Sequence, residues 1–302
     1  MSAPSETGDA PLISVITATW NLMSQGRQDT FRRVIECMAR QNCDRSEHII
    51  QDGASTDGTV EFIQDLIADA PRTRLISEPD QGLYDAMNRG VEAARGEYVL
   101  FLNSDDSLAA DDVLNRAADV LVRRGPDFAY GSTVERGSDG QILKDRRPDP
   151  NSVLQRMPFS HNSVFIRSDL FNRLRGHDLG FAVASDYDLV LRMFAGGAKG
   201  VDLEMPISEY SSRGASADDA RVARDYAMAW YTFINGFESL SRNYTVADCL
   251  SWYYQGNMPL SLCRTLQSID EFPEALRPAL RQSLKKARRR AWQFWRKSKA
   301  SI

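Results

Sequence analysis

Between residues 11 and 106 the chain alternates two hydrophobic rhythms. Leu12 to Thr19 (LISVITAT) is a short β-branched run, which predicts a buried strand. Phe31, Val34, Ile35 and Met38 then recur at helical spacing, one face of an amphipathic helix. HIIQD (His48 to Asp52) predicts a second strand and runs into a Gly/Ser/Thr turn, after which Val60, Ile63 and Ile67 mark a second helix. TRLIS (Thr73 to Ser77) predicts a third strand, Leu83, Met87, Val91 and Ala94 a third helix, and EYVLFLN (Glu97 to Asn103) a fourth strand that halts at paired aspartates. Strands alternating with helices in this way predict an α/β fold, a mostly parallel sheet covered by helices on both faces. Ligands of such sheets bind beyond the carboxyl ends of the strands. Three polar clusters fall there: Thr17 to Asn21, Asp52 to Asp57, and Asn103 to Asp106.

After Asp106 the pattern is mixed. DFAYGS (Asp127 to Ser132) and SVFIR (Ser163 to Arg167) predict strands, with a loop around Arg146 to Asn151 between them. A helix is expected to begin near Asp186, and VDLEMPISEY (Val201 to Tyr210) supplies a last strand or two. From about Ala217 the chain reads as helical to its end, with a break around Gly256 to Pro259. The small, polar first ten residues are expected to be disordered.

Composition changes this picture in one respect. The 302 residues have an ordinary apolar share of 42% and a formal net charge of −4, but ten Lys and Arg lie after Glu274 with no acid among them, which leaves −14 on residues 1–274. An acidic body is not the footprint of a nucleic-acid binder. Cys37, Cys43, Cys249 and Cys263 show no zinc spacing and no disulfide framework, as expected of reduced thiols in the cytoplasm. The N-terminus lacks the pattern of a signal peptide, and no apolar run is long enough to span a bilayer.

The chemistry concentrates in FLNSDD. Asp105 and Asp106 end a run too apolar for a surface loop, and adjacent carboxylates there call for a cation or a donor network. The plainer reading is that Asp106 or Ser107 caps a helix. QDGASTDGT makes a turn and a helix cap without any ligand. DQGLYDAMNRG sets Asp85, Asn88 and Arg89 on or beside the third helix, where Ala86 and Gly90 leave room for something close by.

Taken together, ISVITATWN, QDGASTDGT and SEPDQGLYDAMNRGVEAARGEYVLFLNSDDSL resemble the family 2 glycosyltransferases of GT-A fold, nearest to the bacterial branch that serves polysaccharide and cell-envelope glycan assembly. The likeness spans residues 11–216, taken as one nucleotide-binding domain, with 217–302 as a helical extension. It implies that Thr17 and Ala18, with Asn21 in the same cluster, line the donor's base pocket, and that Asp52 hydrogen-bonds the base, which favours UDP. Asp85 and Asn88 match the segment approaching the ribose and sugar. Asn103, Ser104, Asp105 and Asp106 occupy the family's DxD position; Asn103 replaces the first aspartate, and Asp105 and Asp106 remain as ligands for Mg²⁺ or Mn²⁺. In FAVASDYDLVLRMF, Asp186 matches the catalytic base, with Asp188 as the fallback and a dipole-favoured helix-end carboxylate as the plain alternative. His161, just before a strand, is a candidate for binding the acceptor or the metal. Arg213 and the turn Gly214–Ser216 resemble a loop that closes over the diphosphate. The implied activity is an inverting, metal-dependent transfer from a nucleotide-sugar to a glycan or lipid-linked acceptor.

Leu276, Leu280, Leu284, Ala287, Ala291, Phe294 and Trp295 follow helical spacing among Lys and Arg, so residues 276–299 predict a basic amphipathic helix that could lie on an anionic membrane, placing the protein peripherally on the inner face of the plasma membrane. The alternative for that helix is packing on its own body or on a partner. A nucleotidyltransferase or a dinucleotide oxidoreductase would need a glycine-rich phosphate loop after the first strand, which TATWNLMSQG is not. A catalytically inactive sugar-binding or scaffold protein is the remaining alternative. Asn103 favours it, and the joint presence of Asp105, Asp106 and Asp186 opposes it.

Overall fold

The computed structural model describes residues 10–136, 141–210, 219–240 and 243–300, with 294–300 as backbone only. The chain forms two compact units, each assembled from separated stretches. The first comprises 1–147, 160–175 and 199–212, and the second 148–159, 176–198 and 213–302.

The first unit holds the sheet. Its elements are β1 (Ile13–Thr19), α1 (Gln28–Arg40), β2 (Ser46–Asp52), α2 (Thr59–Leu66), β3 (Thr73–Ser77), α3 (Leu83–Ala93), β4 (Tyr98–Phe101), β5 (Ser107–Leu108), α4 (Val113–Arg124), β6 (Phe128–Arg136), β7 (Ile142–Arg146), β8 (Val164–Arg167), α5 (Ser168–Arg173) and β9 (Gly200–Glu209). The strands run in the order β3-β2-β1-β4-β8-β6-β9-β5, with β7 paired to the far end of β6. The first four are parallel, as the alternation of strands and helices predicts, and β8 joins β4 and β6 antiparallel.

One face of the sheet is covered by α1 and α4: Val34, Cys37, Val113, Leu114, Ala117 and Leu121 pack with Ile13, Val15, Leu100 and Phe165 in one buried cluster. Helix α4 is absent from the sequence-based expectation because two of its five buried residues are alanine, which weakens the apolar stripe. Helix α3 packs against β1 and β2. Gly90 is needed there, since a Cβ would stand 2.4 Å from Ile16 Cγ2. The space left by Gly90, expected to admit a ligand, is therefore filled by the sheet itself.

At the amino-terminal end of the sheet, Glu47 accepts hydrogen bonds from Ser14 Oγ (2.7 Å), the Arg95 N–H (2.8 Å) and the Arg95 and Arg74 guanidiniums (2.9 and 3.1 Å). Burial pushes the Glu47 carboxyl up, but these donors outweigh it and hold it below its ordinary value.

Next to Glu47, His48 lies wholly within the core, where burial lowers its pKa from 6.5 to about 4. The folded state therefore resists the proton that the unfolded chain takes up below pH 6.5. Stability from this group is complete above that pH and declines as the pH falls toward 4, by about 3 kcal/mol over the window. Urea unfolding at pH 7 and pH 4.5 should show this loss, and His48→Gln should lose correspondingly less; equal pH slopes would exclude His48 as the source.

The second unit is helical: α6 (Ser185–Ala195), α7 (Asp219–Asn235), α8 (Val246–Gln255), α9 (Leu260–Ser268) and α10 (Arg277–Ala300). Thr245 and Asp248 form a reciprocal capping box at the start of α8, and Gly256, at φ 67°, ends it where the break is expected. Tyr187 stacks on Tyr226 with ring centroids 4.0 Å apart, accepts from Trp230 Nε1 (2.7 Å) and donates to the Val153 carbonyl (2.7 Å).

Helix α10 packs on α9 and on the turn Pro150–Ser152. Leu276, Leu280, Leu284 and Ala287 are buried by this packing, while Arg281, Lys285, Lys286, Arg288, Arg289 and Arg290 are exposed. The apolar stripe expected to face a membrane is thus covered by the protein as far as Ala287. Among the described residues no helix is long and apolar enough to cross a membrane.

Candidate active site

Register assembles the site in the first unit. Thr19 lies opposite Asp52, Asp52 opposite Ser77, and Ile16 opposite Phe101, so the carboxyl ends of β1, β2, β3 and β4 share one edge of the sheet. The three polar clusters separated in sequence meet along it.

Asp52 is fully buried, and its carboxylate is the hub of the loop after β2. Thr19 Oγ1 (3.2 Å) and Ser55 Oγ (2.6 Å) donate to one oxygen, and the Ser55 N–H (2.9 Å) and Ser77 Oγ (2.8 Å) to the other. These four donors fill the carboxylate's usual acceptor positions. A base N–H would have to replace one of the hydroxyls.

Asn21 ties the neighbouring loop to this one. Its N–H donates to Ser55 Oγ (2.7 Å), and its Oδ1 accepts from the Thr56 N–H (3.2 Å). Asn21 at φ 47° and Ala54 at φ 53° are both left-handed, so the two loops are held in conformations costly for residues other than glycine. Thr17 is buried with its hydroxyl 3.0 Å from His48 Nε2, which makes it part of the core beneath the site, and Ala18 is half-buried. Trp20, overlooked in the sequence, is 59% exposed at the end of β1 and offers a ring face.

Asp105 and Asp106 follow β4 and are engaged differently. Asp105 is ion-paired to Arg27, from the loop before α1, at 2.5 Å. Asp106 is buried, and its Oδ2 accepts from Asn103 Nδ2 and Asn162 Nδ2, both at 2.9 Å. Asn103 Oδ1 lies 3.2 Å from His161 Nε2. Because the Asn103 amide nitrogen faces a carboxylate, its Oδ1 must accept, so the His161 ring carries its proton on Nε2. Ser104 is buried beside them.

In α3, Asp85 Oδ2 accepts from the Gln81 N–H (3.0 Å) and Arg89 Nε (3.1 Å), which makes it the organiser of the helix start, and Asn88 is half-buried one turn on. Asp80 precedes them. Burial, then the charges of Asp85 and Asp52, push its carboxyl up against the opposing pull of the Gly82 N–H.

In the second unit, Asp186 and Asp188 occupy the first turn of α6, with different surroundings. Asp188 is buried and bound to Arg192 Nε at 2.7 Å; burial raises its carboxyl, with Arg192 acting the other way. Asp186 is half-buried, with its Oδ1 accepting from the Tyr187 N–H at 2.8 Å. Asp225 of α7 accepts from the N–H groups of Val183 (2.7 Å) and Ala184 (3.0 Å) and so caps the segment leading into α6. Arg213 and the turn Gly214–Ser216 lie outside the described residues, as do the side chains of Phe294 and Trp295.

Sequence reasoning missed Arg27, Asn162 and Asp225, none of which carries a motif; each matters through a partner distant in sequence. Among the described residues no three His, Cys, Asp or Glu side chains gather as a metal cage. Asp105 and Asp106 do present two hard oxygen donors at one strand end, the usual protein share of a magnesium site completed by substrate phosphates.

Known proteins share this architecture. A mannosyltransferase, PcManGT, from Pyrobaculum calidifontis, solved with GDP-Man and Mn²⁺, superposes with a TM-score of 0.59 at 19% identity, covering 93% of this chain and 89% of that one. S. aureus TarS 1–349 with UDP-GlcNAc superposes at 0.60 and 16% identity over 88% and 79%. At those identities they establish the fold. In sequence, a PGL/p-HBAD biosynthesis glycosyltransferase of Mycobacterium tuberculosis is 34% identical over 193 residues, 62% of this chain and 71% of its own length. An uncharacterized glycosyltransferase of the same species is 34% identical over 190 residues. The profile of glycosyl transferase family 2 matches residues 14–178, the stretch that carries Asp52, Asp85, Asp105, Asp106 and the loops binding them together, and the chain is a glycosyltransferase belonging to that family.

Proposed function

We propose that this glycosyltransferase moves a sugar from a nucleoside-diphosphate donor to a hydroxyl of a glycan or lipid-linked acceptor, by one displacement with inversion. The observation that carries the donor assignment is the meeting of the Asn21–Ser55–Asp52 loops with Asp105 and Asp106 along one sheet edge. Trp20 would stack on the base and the loop around Asp52 would read its edge. Asp85 and Asn88 would shape the ribose and sugar side, and Arg213 would bind the diphosphate.

Asp105 and Asp106 would hold Mg²⁺ or Mn²⁺, which when bound neutralises charge on the departing diphosphate. Arg27 neutralises Asp105 in the structure and would give way to the ion. Asp186 is the base we carry forward, since Asp188 is committed to Arg192. Calorimetry of UDP, GDP and TDP, each with Mn²⁺ and with EDTA, tests the donor site. One nucleotide binding only with metal supports it, and no binding by folded protein sinks it.

We also place α10 against an anionic leaflet. With its apolar stripe covered, attachment would come from headgroup charge, at ~1 kcal/mol per exposed cation, with Trp292 (53% exposed) at the interface. The protein should sediment with phosphatidylglycerol vesicles and not with phosphatidylcholine, and release in about 0.5 M salt. Replacing Lys285, Lys286, Arg288 and Arg289 by Gln should abolish sedimentation; retention would reject this surface.

A further inference from the structure

Behind Asp106 lies a closed set of buried polar groups that the transfer reading leaves without a role. Asn162 sits in the turn His161–Ser163, just before β8, and is buried. Its Nδ2 donates to Asp106 Oδ2, and its Oδ1 accepts from Ser208 Oγ at 2.9 Å. Ser208, on β9, lies 2.6 Å from Ser163 Oγ and 3.0 Å from Thr133 Oγ1, and those two hydroxyls are 2.6 Å apart. Ser163 Oγ also reaches the Ser132 carbonyl at 3.3 Å. Ser163 and Ser208 are fully buried and Thr133 nearly so, and Thr133 stands opposite Ser208 in the β6–β9 register.

The direction of the two bonds through Asn162 is determined. An ionised carboxylate can only accept, so the Asn162 amide must turn its nitrogen toward Asp106 and its oxygen toward Ser208. Ser208 must then donate its one proton to Asn162, and Ser163 and Thr133 satisfy the oxygens behind it. The amide thereby ties the Asp106 carboxylate to β9 and β6, beside the backbone pairing of β5 with β9 that begins at the next residue, Ser107. Every side chain in this buried set has at least one hydrogen-bond partner, and breaking a member leaves costly unpaired groups.

We propose that Asn162, locked by Ser208, is the positioning residue that holds the Asp106 carboxylate in the orientation a divalent cation requires. The proposal rests on the donor-site reading above. Partners behind a metal-binding carboxylate typically alter metal affinity by about 10–100-fold when removed. Asn162→Ala should therefore weaken the Mn²⁺-dependent part of UDP or GDP binding by about that factor. Binding measured in EDTA should not change. Ser208→Ala, which does not touch Asp106, should weaken the same part less, and the double variant should fall no further than Asn162→Ala alone.

An equal loss with Mn²⁺ and with EDTA, or additive losses, would reduce Asn162 to a packing role and overturn the proposal. So would unchanged metal-dependent binding in folded Asn162→Ala. If the unaltered protein shows no metal-dependent binding, the donor reading fails, and the anchor is decided by its own signal. The Asn162 side-chain NH₂ protons in ¹⁵N-labelled protein should exchange slowly and lose that protection in Ser208→Ala. Fast exchange in the unaltered protein would overturn the anchor whatever the nucleotides do.

Discussion

Asp106→Ala is expected to reduce nucleotide binding in Mn²⁺ to its level in EDTA and to lower kcat/KM by at least about 10³-fold, the several kcal/mol that a metal contributes to a departing diphosphate. The residue is suited to this test because its environment is so specified: Oδ2 takes the amides of Asn103 and Asn162, and the side chain is buried. Truncation also leaves those two amides facing an empty position, at about 1–3 kcal/mol each if they stay unpaired. Asp106→Asn separates the two effects, since it keeps the shape and removes the charge. Loss of metal dependence in a variant of near-normal Tm identifies a ligand. Retained metal dependence in both variants would remove Asp106 from the metal site and, with it, most of the case for the metal.

Asp186→Asn should produce the complementary result: nucleotide binding within twofold of normal and kcat lower by about 10²–10⁴-fold, the range for loss of a general base. Asn can keep the bond that Asp186 Oδ1 accepts from the Tyr187 N–H, so α6 should start unchanged. Asp188→Asn is the control. It breaks a buried ion pair with Arg192 and should lower Tm more than kcat. A reversal, with Asp188 controlling kcat and Asp186 controlling stability, would exchange the two assignments. Measuring kcat at saturating donor, with nucleotide affinity determined separately by calorimetry, keeps binding and chemistry apart.

Part of the site is legible in the sequence. Three polar clusters at strand ends follow from local periodicity, and parallel pairing then obliges them to share an edge. The register adds that Thr19, Asp52 and Ser77 are neighbours, which turns Asp52 from an apparent turn residue into the centre of four hydrogen bonds. Gly90 shows the opposite case: a small residue that suggested ligand space proved to be the contact point of α3 on Ile16. The C-terminal stripe is a third case. Its helical spacing was plain, yet whether Leu280 and Leu284 would meet lipid or protein depended on the turn Pro150–Ser152, more than a hundred residues earlier in the chain.

By itself, then, the sequence determined the parallel half of the sheet and its helices, the family resemblance, and the acidic positions at the strand ends. Each of these is written in residues close together along the chain, as a period of apolar positions or a short motif. Tertiary structure alone decided that Asn162 and Ser208 fasten Asp106, that Arg27 neutralises Asp105, and that residues 148–159 and 176–198 join the helical unit. Most of these depend on polar side chains meeting across dozens of residues. A single Asn, Ser or Arg has no periodicity to reveal its partner, and only burial, which makes an unpaired polar group costly, forces such partners together.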